Sequence, residues 1–234
     1  MVHTNLQYDG KGHVALLRLT QPDACASLVA ACAEIGHETH ARVMLITKGW
    51  ADFRVEAQRS NHLANEAVEA LSGLQIPTIA WIGTDCYDEA LELALCADIR
   101  IASHASSFRM GQPMSGRMPS HGGTQRLPRV VGRGWAFRLL LTGETLSASE
   151  SERAGLVNAI GGLAEARRFA RMIAAGAPVA MRYAKEAVRF GADLSLAQGL
   201  RLETDLNLLL HSTADRVEGL RSFRLKRPPR FEGR

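Results

Sequence analysis

The sequence predicts an α/β core followed by a helical region, and three observations carry that prediction. Short apolar runs alternate with helical patterns over the first hundred residues, glycine and proline punctuate the joints, and the pattern turns helical beyond Gly132. His13 to Leu19 (HVALLRL) and Arg42 to Thr47 (RVMLIT) read as short buried strands. Between them the alanine-rich stretch from Asp23 to His37 reads as a helix capped by Asp23. The stretch from Gly49 to Asn65 is polar and poorly patterned, which predicts a mobile loop. Thr78 to Ile82 (TIAWI), bounded by Pro77 and Gly83, is another buried strand. Ala90 to Ala97 reads as a short apolar helix before a strand from Asp98 to Ala102. Helical periodicity then covers Trp135 to Leu141, Leu163 to Ala175, Val179 to Phe190 and Ser195 to Leu210. No internal repeat or low-complexity linker interrupts this order.

Composition narrows the function classes. A chain of 234 residues with 46% hydrophobic and 22% charged side chains can bury one sizeable core with an appended part. The formal charge of +4 owes much to Arg221, Arg224, Lys226, Arg227, Arg230 and Arg234 at the C-terminal end. That cluster suits a phosphate-bearing ligand or serves solubility, and without a known reader motif it does not point to nucleic acid. Cys25, Cys32, Cys86 and Cys96 lack C-x-x-C spacing, which argues against a disulfide framework or a metal site and for a reducing cytoplasm. No apolar run is long enough to span a bilayer, and MVHTNLQYDGKGH lacks the apolar centre of a secretory leader, so a soluble cytoplasmic protein is expected.

The most informative stretch is residues 92 to 132. Glu92-Leu93-Ala94, Ala97-Asp98-Ile99-Arg100-Ile101-Ala102, Phe108, Gly116, Pro119 and Gly122-Gly123-Thr124-Gln125-Arg126-Leu127 resemble, without a gap, the crotonase (enoyl-CoA hydratase/isomerase) superfamily. The resemblance continues through Leu141-Thr142-Gly143 and Ala154-Gly155-Leu156-Val157 to Phe223, Lys226, Arg227, Pro229 and Phe231, similar to the F-x-x-K-R-x-P-x-F with which that family ends. It implies an α/β fold with a spiral core of ββα turns over residues 1–175. Residues 176–234 would form a C-terminal helical region that supports trimers or hexamers and closes over CoA. The expected ligand is an acyl-CoA substrate, with no cofactor beyond the CoA it carries, no membrane partner, and the loop at Gly49 to Asn65 bordering the substrate mouth.

In that family two backbone N–H groups hold the thioester oxygen, where charge develops during reaction, while one or two carboxylates move protons. The first donor lies in F-x-A-G-x-D. Here Phe53-Arg54-Val55-Glu56-Ala57-Gln58 places Val55 at the donor and Glu56 where glycine is usual. The second lies in G-G-G-x-E, and Asp88-Glu89-Ala90-Leu91-Glu92 places Glu89 at the donor. Any residue but proline keeps its N–H, so these changes remove glycine's conformational freedom rather than the donors themselves. The acidic side chains of Glu56, Asp88 and Glu89 would repel a developing oxyanion unless they are turned away or protonated.

Glu92 matches the family's first catalytic glutamate. Leu91, Leu93, Ala94 and Leu95 around it predict a buried helix, where an unpaired carboxylate is costly. Glu89 would share its helical face and either pair with it or face solvent at the helix start. Counting from Phe108, the second glutamate of the family falls at Gln112, an amide unable to act as a general acid or base. Gln112 could orient water or a carbonyl, or simply occupy the turn before Pro113. His121, in the turn before Gly122-Gly123, could replace the missing proton carrier or cap the following helix. Gly122-Gly123-Thr124 lacks the Lys-Ser/Thr of a phosphate loop and reads as packing at a helix start. Phe223 and Lys226 match positions that close over the adenine end of CoA, whereas Gln21 to Leu28 lacks the usual basic residue and asparagine of the early CoA segment. Three readings stand side by side: an acyl-CoA enzyme with an atypical site, performing hydration, isomerisation or hydrolysis next to the thioester; a noncatalytic paralogue with a structural or regulatory role in an oligomer; and an oxyanion-independent hydrolase using His121 with Glu92 or Glu89.

Overall fold

Strands β1 (Leu6–Tyr8) and β2 (Val14–Arg18) open the chain as an antiparallel hairpin, joined by a turn in which Asp9 Oδ1 accepts hydrogen bonds from the N–H groups of His13 and Val14. The computed structural model describes residues 6–19, 24–37, 40–47, 50 and 57–234. Helix α1 (Ala24–His37) comes next, so an Asp23 cap lies outside the described residues. Strands β3 (Val43–Thr47) and β4 (Thr78–Ile82) then continue the sheet in parallel, with helix α2 (Ala57–Gly73) between them packed on α1. All five residues of β3 are buried, the pattern expected of a central parallel strand covered on both faces.

The expected loop from Gly49 to Asn65 is corrected in part, because residues 57–65 are the first half of α2. Among the described side chains the buried stripe of α2 includes Ala64, Ala67, Val68 and Leu71, and the polar run Gln58 to His62 hides the helical period in the sequence. Residues 49 and 51–56 lie outside the described residues.

Strand β5 (Cys86–Tyr87) leaves the main sheet and pairs in parallel with β7 (Ser107–Arg109), which pairs antiparallel with β8 (Thr145–Ser147). Helix α3 (Glu89–Ala94) comes directly after β5, and β6 (Ile99–Ala102) returns to the main sheet beside β4. The Asp98 carboxylate ties the two strand starts together by accepting from Thr78 N (2.7 Å) and Thr78 Oγ1 (2.8 Å). After β7 come a 3₁₀ turn (Gln112–Ser115), helix α4 (Gly123–Thr142), helix α5 (Ala148–Arg153), and strand β9 (Ala159–Ile160), which completes the six-stranded order β1-β2-β3-β4-β6-β9. Helix α4 starts at Gly123, well before the expected Trp135. Pro128 and a kink at Gly132 (φ 76°, ψ 163°) mask its first turns in the sequence.

The chain divides into two compact units, Met1–Leu74 with Thr78–Ala170, and Gln75–Pro77 with Arg171–Arg234. The division between Ala170 and Arg171 falls within helix α6 (Leu163–Ala174). The second unit holds α7 (Pro178–Gly191), α8 (Leu196–Leu210) and α9 (Ala214–Arg224), and α7 packs against α8. Its C-terminal segment is pinned by Asp215, whose buried carboxylate accepts from the N–H groups of Glu232 and Gly233. No helix among the described residues is long and apolar enough to cross a membrane.

Candidate active site

Parallel neighbouring strands end at the same edge of a sheet, and β5 and β7 are such a pair. Helix α3, which leaves β5, therefore emerges beside the segment that leaves β7 and carries the 3₁₀ turn and the start of α4. Ala90, Leu91, Leu93 and Ala94 are all buried, so the six-residue α3 has no solvent face over this stretch and carries Glu92 inward, to 0% exposure. Burial of a carboxyl requires partners, and the start of α4 supplies them. Glu92 Oε1 accepts from His121 N (2.9 Å) and Gly123 N (2.8 Å), two main-chain donors at the N-terminal end of α4. Glu92 Oε2 accepts from Gln112 Nε2 at 3.2 Å. Burial raises the Glu92 pKa above the ordinary carboxyl value, and the backbone donors of Gly123 and His121 oppose but do not cancel that rise.

The same carboxyl group thus brings Glu92, Gln112 and His121 together. Gln112 is 1% exposed and His121 3%. His121 Nδ1 lies 2.8 Å from Asn65 Oδ1 on α2, and the His121 carbonyl accepts from Arg126 Nη1 at 2.8 Å. Among the described residues, Gln112 Oε1 and His121 Nε2 have no hydrogen-bond partner. Gly123 is where backbone and carboxyl approach most closely: a Cβ there would sit 2.9 Å from Glu92 Oε1 and 3.0 Å from Met110 Sδ. The packing role expected of Gly122-Gly123 therefore extends to donating a hydrogen bond to Glu92.

The acidic pair before Glu92 is compensated. Glu89 neither pairs with Glu92 nor stands free in solvent, because its Oε1 accepts from Arg117 Nη1 at 2.7 Å. Asp88 Oδ1 accepts from Gly111 N at 2.7 Å, and its Oδ2 lies 3.4 Å from Arg109 Nη2. Asp88 holds φ 52° and ψ −115°, a conformation that glycine adopts freely and other residues rarely do. This position leads into α3, so the Glu89 N–H, in the first helical turn, has no intrahelical acceptor.

Val55, the other expected donor, lies outside the described residues, as does Glu56. Phe223 and Lys226 belong to the second compact unit, where Phe223 is 85% exposed and Lys226 adopts φ 50° just past the end of α9. Sequence reasoning missed Asn65, Arg117 and the donor role of Gly123. Asn65 and Arg117 reach the site through long-range contacts that leave no local pattern, whereas Gly123 was within reach, since a helix start is a natural carboxylate acceptor site.

Comparison with known proteins places the chain in one family. The family model described as enoyl-CoA hydratase/isomerase matches residues 50–234, and the chain belongs to that family, the crotonase superfamily. The chain is 33% identical over 230 residues to the mitochondrial enoyl-CoA hydratase domain-containing protein 2 of Bos taurus, covering 89% of this chain and 78% of that one. It is 42% identical over 137 residues to a short-chain-enoyl-CoA hydratase of Clostridioides difficile, covering 57% of this chain and 88% of the relative. The crystal structure of an enoyl-CoA hydratase from Bacillus anthracis superposes with a TM-score of 0.89 over 98% of both chains at 28% identity. The α/β fold with its C-terminal helices is the crotonase fold.

Proposed function

We propose that the protein is an acyl-CoA enzyme that adds water to the double bond of an enoyl thioester, with Glu92 as the carboxyl group that moves a proton. The observation that carries this reading is the state of Glu92. A fully buried carboxyl with both oxygens held, and its pKa raised by burial, is tuned toward neutral-pH proton transfer. Hydratases among the relatives support the choice of water addition over isomerisation or hydrolysis. Gln112 orients the carboxyl through its amide N–H, and the main-chain N–H groups of Val55 and Glu89 hold the thioester oxygen. The arginines facing Asp88 and Glu89 offset the charge that would otherwise oppose an oxyanion there. The reading calls on no cofactor beyond the CoA of the substrate, with Phe223 and Lys226 against its adenine end.

Asp88 speaks against a noncatalytic relic. A non-glycine residue keeps a strained φ only where the surroundings over-determine it, which happens at sites whose geometry matters. The exposed apolar side chains of α8 and α9, among them Leu196, Leu208, Val217 and Phe223, support a homo-oligomer, a trimer or a hexamer. The test is turnover of a panel of saturated and α,β-unsaturated acyl-CoA thioesters by the purified protein, monitored by absorbance of the conjugated thioester and by product analysis. Loss of the conjugated absorbance with formation of a β-hydroxyacyl product is expected. Absence of turnover across the panel, with no thioester bound at millimolar concentration, refutes the reading.

A further inference from the structure

Water addition needs two proton transfers, one from the water and one to the α-carbon. With Gln112 in place of a second carboxylate, Glu92 alone has to perform both unless another group takes one. Of the residues that hydrogen-bond the Glu92 carboxyl, His121 is the titratable one with an unexplained buried atom. His121 is only 3% exposed, and its Nε2 has no partner among the described residues. An unpaired buried nitrogen is unfavourable and calls for an explanation. Gln112, which donates its amide N–H to the same carboxyl, also has a buried, unpaired atom among the described residues, Oε1.

We propose that His121, oriented by Asn65, is the second proton carrier of this site and that its Nε2 binds the reacting water together with Gln112 Oε1. This rests on the hydratase reading above. With Asn65 Oδ1 as acceptor at 2.8 Å, the neutral imidazole carries its proton on Nδ1 and presents a lone pair at Nε2. Gln112, which gives its amide N–H to Glu92, presents only its carbonyl oxygen. Both unpaired atoms are therefore acceptors, and the small molecule that satisfies two acceptors at once is a donor of two hydrogens, which water is. The Gln112 amide and the His121 main-chain N–H donate to opposite oxygens of the Glu92 carboxyl, which anchors both residues at the proton-moving group.

In the addition step the water oxygen bonds to the β-carbon, the π pair moves to the α-carbon, one water proton passes to Nε2, and the α-carbon takes the proton of the Glu92 carboxyl. Return of the Nε2 proton to Glu92 restores both groups, so the net change is addition of one water. Burial, which favours the protonated Glu92, suits it to the donor role. Around His121, the Glu92 carboxyl of α3 accepts from its main-chain N–H, Arg126 of α4 donates to its carbonyl, and on α2 His62 and Glu66 pair with each other at 3.1 Å. Asn65 acts through His121 and is a positioning residue.

The experiment measures kcat and KM for crotonyl-CoA between pH 5 and 9. In the wild type, kcat should show an ionisation that His121→Gln abolishes, with kcat down by about 10²-fold or more and KM little changed. Asn65→Ala should lower kcat by about tenfold or more by freeing the tautomer, and added imidazole should restore part of the turnover of His121→Ala. Asn65→Asp should move the ionisation to higher pH, because a carboxylate facing Nδ1 favours the imidazolium. Wild-type kcat in His121→Gln, or an ionisation unmoved by Asn65→Asp, overturns the proposal and leaves the hydratase reading standing. A wild type inactive on all thioesters overturns both. If the variants do not fold, ¹⁵N-histidine NMR of the wild type decides: Nδ1–H on neutral His121 is expected, and an Nε2–H tautomer overturns the assignment.

Discussion

Replacing Glu92 with glutamine separates its chemical role from its structural one. The carboxyl accepts three hydrogen bonds, from His121 N, Gly123 N and Gln112 Nε2. An introduced amide keeps the shape and, through its oxygen, the two main-chain bonds. Its N–H₂ would face the Gln112 N–H₂, a conflict that a flip of Gln112 resolves by turning its unpaired Oε1 toward the new donor. In the ionised form all three bonds are charge-assisted and become neutral ones, at about 1 kcal/mol each, while an ionised group no longer has to be buried, a term of opposite sign and similar size. Stability at neutral pH should change by less than about 1 kcal/mol. Turnover should fall by about 10²-fold or more, equivalent to at least roughly 2.7 kcal/mol of barrier, because the amide does not exchange the proton. Glu92→Ala is the contrast, since it strands three buried donors at about 1–3 kcal/mol each and should lower stability by about 3 kcal/mol or more. The comparison also has a pH signature. The folded-state pKa of Glu92 is raised, so the folded protein binds more protons than the unfolded chain between the ordinary carboxyl value and the raised one. Wild-type stability relative to Glu92→Gln should therefore fall as pH rises through that window and be most favourable below it. Urea melts at several pH values with parallel assays on an active thioester check all of this. Unchanged turnover in Glu92→Gln, or a stability difference that grows in favour of wild type as pH rises, would refute the reasoning.

The geometry around Glu92 also bears on its neighbours. Gly123→Ala places a Cβ 2.9 Å from Glu92 Oε1 and should destabilise by about 1–3 kcal/mol, with a drop in kcat larger than any change in KM, read by melts and steady-state kinetics. At Asp88, glycine should relieve the positive φ while losing the bond to Gly111 N. Asp88→Ala, which loses that bond and keeps the strain, should be less stable than Asp88→Gly by about 1 kcal/mol or more in urea denaturation. Arg117→Gln breaks a partly exposed ion pair and should change stability by less than about 1 kcal/mol. It should nevertheless lower kcat by leaving the Glu89 charge uncompensated beside its own N–H, and adding Glu89→Gln should restore much of that loss in a double-mutant cycle.

Strands β2, β3, β4 and β6 were legible in the chain because each is a short apolar run bounded by punctuation. Thr78–Ile82 was legible to the residue, and β2 and β3 within a residue or two of their ends. Glu92 and Gln112 were legible as site residues because they stand in register with the apolar positions of a gapless motif. Helix α2 was only half visible, because the run Gln58 to His62 is wholly polar, and the start of α4 was concealed behind Pro128 and Gly132. The small strands β5, β7 and β8 are two or three residues long, below the span over which a period can be read. Only the tertiary structure decided the pairing of polar groups. Asn65 reaches His121 across 56 positions, Arg117 reaches Glu89 across 28, and Gly123 donates to Glu92 across 31. Burial sets whether a carboxyl or an imidazole has an available partner, and burial is fixed by the packing of α2, α3 and α4. Local sequence therefore announces which residue types are present, while the fold determines which hydrogen bonds they must share.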